Sequence, residues 1–270
     1  MQLRDRVTIV TGASSGIGLA VARALVREGG KVALVARTAA KLEQAAAELG
    51  PAAAAFPLDV GDLTALAALP AEVRRRFGAL DAVVNNAGVH HRGDMLRHPP
   101  EKLAQMCTVN LAAPMVLTRA AAEEMRVGGC IVNVASLAGK LAVPGSAVYS
   151  GTKAGLRFWS LAAAEDLGRR GLRIASVNPG PVDTAFFDED IEHVSALTFS
   201  QPMSTAEQVT DAVLACLRSE ETGIEIDVPG PSGKLATLGY LVPQVSRLLR
   251  PLLELRGARA KAAYRARRGL

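Results

Sequence analysis

Short apolar runs alternate along this chain with longer stretches in which apolar residues recur every three or four positions. The runs at 7–10, 32–36, 53–57, 82–85, 131–135, 174–177 and 224–228 predict seven strands. Most are continuously apolar rather than alternating, as parallel strands buried on both faces require. The intervening stretches, at about 17–29, 39–49, 62–77, 101–126, 149–169 and 204–219, predict six crossover helices. This alternation implies βαβ units and so an α/β fold, a doubly wound parallel sheet with helices on both faces. Helix punctuation agrees. Gly29-Gly30 and Gly50-Pro51 close the first two helices, and Ser204 with Glu207 has capping-box spacing before the sixth. Ligands in such sheets bind beyond the carboxyl ends of the strands, so the long connections 86–100 and 181–203 are expected to border a site. There is no internal repeat, and the one shift in composition falls near 229–233.

Composition adds limits. The chain has 270 residues, 49% hydrophobic and 21% charged, which excludes a disordered chain and suits one large α/β domain. No apolar run approaches the ~18 residues of a membrane-spanning helix. The opening residues run directly into the first strand, so no signal peptide and a cytoplasmic location are expected. Cys107, Cys130 and Cys216 are odd in number and far apart, which fits a reduced compartment and argues against disulfides or zinc. The net charge of +5 is unevenly held. Residues 231–270 carry nine Lys and Arg against Glu254 alone, or +8; the first 230 residues then hold 22 basic and 25 acidic groups, or −3. The basicity belongs to a tail, so it gives no reason to assign nucleic acid as a partner of the body.

The segment Thr11-Gly12-Ala13-Ser14-Ser15-Gly16-Ile17-Gly18 follows the first strand and opens the first helix. A glycine-rich strand-to-helix turn lets backbone approach a pyrophosphate at a helix N-terminus, where free N–H groups and the dipole favour anions. Its glycines follow GxxxGxG rather than GxGxxG, so position carries the reading more than the letters do. NAD sites usually place an acid at the end of the second strand for the adenosine 2′-hydroxyl. Here Val35-Ala36-Arg37-Thr38 has none, and Arg37 stands where a guanidinium could pair with a 2′-phosphate. NADP(H) is therefore the preferred cofactor, with NAD(H) the alternative.

Ser136 follows the fifth strand, with Tyr149 and Lys153 thirteen and seventeen residues later. An i, i+4 pair shares one helix face. Tyrosine is a poor acid or base near neutrality, with a reference pKa of ~10, and a neighbouring ammonium lowers that value. Tyr149 could then exchange a proton with a carbonyl or alcohol oxygen that Ser136 also holds. In order and spacing these motifs resemble the short-chain dehydrogenase/reductase family, in its single-domain branch, over roughly residues 5–230. The matching pieces are the TGxxxGIG turn of Thr11 to Gly18, Asp59-Val60 after the third strand, and Asn85-Asn86-Ala87-Gly88 ending the fourth. Asn110, Ser136, Tyr149, Lys153 and the run Asn178-Pro179-Gly180-Pro181-Val182-Asp183-Thr184 complete them.

The resemblance implies a Rossmann-type sheet in the order 3-2-1-4-5-6-7. It implies Tyr149 as general acid/base, Lys153 as pKa modulator and ribose ligand, Ser136 as holder of the substrate oxygen, and Asn110 as keeper of a relay water. It also implies cofactor contacts from Gly12, Ser14, Ser15, Gly16, Ile17, Gly18, Arg37, Asp59, Val60, Asn86, Ala87, Gly88, Pro179, Gly180, Val182 and Thr184, and a homodimer or homotetramer. No metal is expected. The seventh strand departs from the pattern: Ile224-Glu225-Ile226-Asp227-Val228-Pro229-Gly230 lacks the usual Asp-Gly-Gly.

Other residues carry weaker signals. His90, His91, His98 and His193 have no metal-ligand spacing and read as pocket-rim groups, and Cys107 and Cys130 as packing groups. Phe186, Phe187 and Ile191 fall in the segment that the family uses as a lid, which suggests an apolar substrate; Met95 and Leu96 could form the facing wall. Trp159 suits a core or a dimer contact. In the extension 231–270, Leu241, Val245, Leu248, Leu249, Leu252 and Leu255 recur at helical spacing among arginines, and Pro243 and Pro251 predict two short helices. The extension could cap the pocket or a partner subunit with a solvated basic end, lie on an anionic membrane, or bind nucleic acid or an acidic carrier. The expectation is a dinucleotide-binding unit at 1–230 that interconverts a ketone and a secondary alcohol with NADP(H). A 3-oxoacyl-thioester reductase using Arg126, Arg169 and Arg170 to receive a carrier, and a non-enzymatic NADP(H) sensor, are the alternatives.

Overall fold

The computed structural model describes residues 1–188 and 190–269, without the side chains of Pro243, Val245, Ser246 and Arg247. The apolar runs form β1 (Val7–Thr11), β2 (Lys31–Ala36), β3 (Ala53–Pro57), β4 (Ala82–Asn85), β5 (Cys130–Val134), β6 (Arg173–Pro179) and β7 (Ile224–Val228). All pair in parallel in one sheet ordered β3-β2-β1-β4-β5-β6-β7, as expected. β1 lies between β2 and β4, with Val10 beside Leu34 on one side and Val84 on the other. Successive residues point to opposite faces, so each strand feeds two cores. Val10, Leu34, Val84 and Val132 pack under one layer of helices, and Ile9, Val35, Val83 and Ile131 under the other. Chain order reverses between β1 and β4, which opens the crevice where ligands settle in this architecture.

The helices are α1 (Gly16–Arg27), α2 (Ala39–Leu49), α3 (Leu63–Phe77), α4 (Pro100–Cys107), α5 (Ala113–Glu124), α6 (Ala147–Gly168), α7 (Ala196–Phe199), α8 (Ala206–Arg218), α9 (Gly230–Leu241) and α10 (Pro243–Arg268). Several depart from the sequence expectation. The single helix expected at 101–126 is broken by a π turn, Thr108–Ala112, between α4 and α5. The capping box of α8 is Thr205 with Gln208, one residue beyond the expected Ser204 and Glu207, because Ser204 is drawn into a bridge with Val182. In the extension the break falls at Pro243 as expected, but α10 runs through Pro251. An exposed helix loses one hydrogen bond at such a proline and can turn the freed carbonyl to water. The predicted positions Val245 and Arg247 lie outside the described side chains.

The departure at β7 has a packing reason. Lys140 Nζ donates to Asp227 Oδ2 at 2.8 Å, Asn178 donates to Asp227 Oδ1 at 2.9 Å, and Arg157 pairs with Glu225 at 2.6 Å. Strand β7 is thereby pinned to β6 and to the loop after β5. Trp159 packs, half-buried, against the core on the α6 side of the sheet. Cys130 and Cys216 are buried, but Cys107 is exposed on α4, so the packing role expected for Cys107 does not hold.

Candidate active site

The glycine turn between β1 and α1 is built for close approach. Gly12 has φ of 67°, and a Cβ there would stand 2.8 Å from Asn86 Nδ2. A Cβ on Gly18 would fall 2.3 Å from the Gly12 carbonyl oxygen. Thr11 fixes the neighbouring strand end: its Oγ1 accepts from the backbone N–H groups of Asn86 and Ala87, each at 3.0 Å. Asn86 Nδ2 donates to the Thr11 carbonyl at 2.9 Å. Ser15 stands at the N-cap of α1 without a side-chain cap bond, which leaves the first N–H groups of that helix available to an anion.

A cavity of about 560 Å³ runs from this turn across the carboxyl ends of the strands. It is lined by Gly12, Ser14, Ser15, Gly16, Ile17, Arg37, Asp59, Val60, Asn86, Ala87, Gly88, Ser136, Tyr149, Lys153, Pro179, Gly180, Val182 and Thr184. Of the catalytic and cofactor-contact residues expected from sequence, Gly18 and Asn110 do not line it; Gly18 stands against Gly12 and Asn86, and Asn110 against Gly88, behind the wall. Lys41 borders the cavity together with Arg37, a second cation that the sequence reading passed over.

Asn110 sits in the π turn, a distortion that frequently marks functional positions. Its Oδ1 accepts from Val89 N at 2.8 Å, and its Nδ2 donates to Val89 O at 2.8 Å and to Thr152 Oγ1 at 3.3 Å. A Cβ on Gly88 would stand 3.3 Å from Asn110 Oδ1 and 3.6 Å from Lys153 Nζ, so the three are close-packed. A buried chain of amides holds α6 in register with the sheet: Asn85 donates to Asn133, and Asn133 to Ser160 on α6, both at 2.8 Å. That helix carries Tyr149 and Lys153. Ser136 Oγ accepts from Ala138 N at 3.1 Å and donates to the Pro179 carbonyl at 3.3 Å.

Electrostatics here differ in part from expectation. Burial pushes Tyr149 above the usual phenol range, opposed by the charge of Arg92 and by a hydrogen bond with Ser136. Lys153 stands beside the ring. Lys153 Nζ lies 5.8 Å from the Tyr149 ring centre and donates to the Val134 carbonyl at 2.8 Å, and burial lowers its pKa to about 8.

Two residues reach the site from the 86–100 loop with roles the sequence did not reveal. The His90 ring stacks on Tyr149, centroids 4.0 Å apart and planes 10° from parallel. Burial first, and then Arg92, pushes the His90 pKa down to about 2, so the ring is neutral. Arg92 is buried, ion-paired with Asp190, and lies over Phe186 and Phe187 at 4.8 and 5.0 Å. The other histidines of the loop bond locally, His91 to Gln105 at 2.8 Å and His98 to the Arg92 carbonyl at 3.0 Å. No group of residues suited to a metal occurs among the described residues. Phe186 and Phe187 line the cavity, whereas Met95 and Leu96 are exposed outside it, which corrects the expected facing wall. Their short helical turn, Met95–Arg97, buries none of its residues.

The extension closes over the lid. Phe187, Ile191, Val194 and Phe199 form a separate apolar cluster completed by Tyr264 of α10. Tyr264 OH donates to Asp188 Oδ1 at 2.8 Å, and Lys261 Nζ donates to the carbonyls of Glu192 and Val194 at 3.1 and 2.9 Å. A Cβ on Gly257 would fall 1.8 Å from the Ala196 carbonyl oxygen, so only glycine permits this approach of α10 to α7. The end expected to be solvated is therefore packed.

Known proteins share this arrangement. The family model for short chain dehydrogenase matches residues 6–195. The ketoacyl reductase HetN of Nostoc sp. is 34% identical over 249 residues, covering 90% of this chain and 86% of its own. The galactitol 2-dehydrogenase of Agrobacterium fabrum is 34% identical over 68% of this chain and 73% of its own. A short chain dehydrogenase from Burkholderia cenocepacia, solved in complex with NADP, superposes with a TM-score of 0.78 at 30% identity, covering 84% of this chain and 97% of that one. A glycine turn at the strand switch point, a Tyr/Lys helix against it and these relatives lead to one conclusion: the chain belongs to the short chain dehydrogenase family and is an oxidoreductase acting on CH–OH groups.

Proposed function

We propose that the protein interconverts a ketone and a secondary alcohol with NADP(H), using Tyr149 as the general acid/base. The observation that carries this reading is the gathering of Ser136, Tyr149 and Lys153 on one wall of the cavity that begins at the glycine turn. The turn fits a dinucleotide: its glycines stand where any Cβ would block the approach, and the N-terminus of α1 offers free N–H groups. Arg37 and Lys41 would hold a 2′-phosphate, Asp59 and Val60 would meet the adenine, and Lys153 would bind ribose hydroxyls beside the nicotinamide. When bound, the nicotinamide supplies or accepts the hydride.

The chain's own residues handle the proton. In reduction, Tyr149 OH donates to the substrate oxygen while the Ser136 hydroxyl holds that oxygen and stabilises its developing charge. In oxidation, the phenolate takes the proton back. Lys153 and Asn110 stand behind Tyr149 as the route to solvent. The Asn110 side chain is committed to Val89 and Thr152, so a relay water would rest on its main-chain carbonyl. Phe186, Phe187, Val143 and Leu141 line the open part of the cavity and support an apolar substrate.

A 3-oxoacyl-thioester substrate is the second reading, favoured by the ketoacyl reductase relative. Of the three arginines that would meet an acidic carrier, Arg169 pairs with Glu165 and Asp166 and Arg126 with Asp81, whereas Arg170 donates to the Ala122 carbonyl and has no ion-pair partner among the described residues. Oxidation of NADPH across steroid, quinone, aromatic ketone, sugar and 3-oxoacyl-thioester carbonyls tests both readings. Turnover of at least one ketone is expected, with a loss of roughly 10²–10⁴-fold in kcat for Tyr149→Phe and NADPH binding retained. Full activity of that variant would refute the assignment. Arg37→Ala should raise the KM for NADPH while leaving that for NADH unchanged.

A further inference from the structure

Helix α10 has two working faces, and only one is occupied. Gly257, Lys261 and Tyr264 recur at helical spacing and pack on the lid. By the 3.6-residue repeat, Leu248, Leu252 and Leu255 fall on the opposite side, and they are 67–81% exposed. On the neighbouring α9, Leu235, Leu238 and Leu241 are also each more than half exposed. Contiguous exposed leucines of this kind mark an interaction surface.

Charge identifies the partner. The cations near the end of α10 are used internally: Arg265 pairs with Glu192, and Arg267 and Arg268 pair with Asp183. Arg256 and Arg259 lie beside and beyond the leucine stripe and have no ion-pair partner among the described residues. An apolar stripe flanked by unpaired arginines fits an anionic lipid layer, with leucines in the acyl boundary and guanidinium groups at the phosphates. A second copy fits poorly, because a symmetric contact would set two tails of like charge against each other. Among the described residues no helix is long and apolar enough to cross a membrane.

We propose that the exposed face of α9 and α10 docks the protein on an anionic membrane surface, while the opposite face of α10 holds the lid. This inference does not depend on the proposed reaction.

The test is co-sedimentation of the full chain with vesicles of phosphatidylcholine alone and of phosphatidylcholine mixed with phosphatidylglycerol. Wild type should partition at least tenfold more strongly to the anionic vesicles. Leu248→Glu/Leu252→Glu/Leu255→Glu should abolish that binding, and Arg256→Gln/Arg259→Gln should lower it by about fivefold per arginine removed. Circular dichroism and thermal melting establish that each variant is folded, and the arginine pair keeps the test decisive if the leucine variant is not. The proposal fails if wild type binds neither vesicle, binds both equally, or binds no better than a folded leucine variant. It also fails if the leucine substitutions instead convert an oligomer to a monomer by sedimentation velocity, which would make the face a contact between copies.

Discussion

At the scale of single residues, Arg92 is a charge that favours the Tyr149 phenolate against burial of the ring. A buried guanidinium favours the phenolate by charge, whereas burial of the ring disfavours it. Removing the charge must raise the tyrosine pKa. Arg92→Met should therefore move the alkaline limb of alcohol oxidation to higher pH, and Arg92→Lys should move it less; a pH–rate profile that stays in place would exclude this role. His90 makes the converse case. Its pKa of about 2 leaves the ring neutral throughout the working range, so it acts by shape, as a plate against Tyr149. His90→Phe should preserve the stack and leave every inflection of the profile unchanged, and loss of an inflection near pH 6.5 would contradict that. Tyr149 and Lys153 were legible because i, i+4 spacing is visible in one dimension. Arg92 was not, because its ion-pair partner Asp190 lies 98 residues away and a loop arginine otherwise reads as solvated.

At the scale of elements, continuous apolar runs marked most strands, since strands buried on both faces leave no alternation, whereas β7 alternates, as Ile224-Glu225-Ile226-Asp227-Val228. What escaped was local accommodation: the π turn that brings Asn110 to Val89, and the passage of α10 through Pro251. Periodicity continues through both, so only tertiary contacts reveal them. One phenol bonds across the clasp of α10 on the lid. Tyr264 OH bonds Asp188 and the Thr184 carbonyl at 2.8 and 3.3 Å, and Tyr264→Phe should cost about 1–2 kcal/mol in urea unfolding at neutral pH. Burial, with Asp188 beside it, pushes its pKa up to about 12, above the ordinary ~10. A proton held more tightly in the folded state stabilises below pH ~10 and is lost as pH rises toward 12. The stability difference between wild type and Tyr264→Phe should therefore shrink between those limits.

Across the whole molecule, charge is partitioned: a body of −3 and an extension of +8 joined at the lid. The sequence made this division plain and left the placement of the extension open, because small and basic residues read as a solvated end. Their smallness is a packing requirement at Gly257, and part of their charge is spent on Asp183 and Glu192. We propose residues 231–270 as an extension whose far end is integral to the lid while its near end carries its leucines outward. That asymmetry predicts how the chain opens. Cleavage of a helix by a protease requires local unfolding, so the order of cuts reports local stability. Trypsin should cut first after Arg247 and Arg256, in the half whose leucines face outward, and later after Lys261 and Arg265, whose side chains hold the lid; the Arg250–Pro251 bond resists the enzyme. At 1 M salt the screening length falls to about 3 Å, the partly exposed Arg265–Glu192 pair weakens, and the second pair of cuts should accelerate more than the first. Mass mapping of early peptides reads the order directly. Initial cleavage after Lys261 or Arg265 would mean that the far half of α10 is not held to the lid in solution.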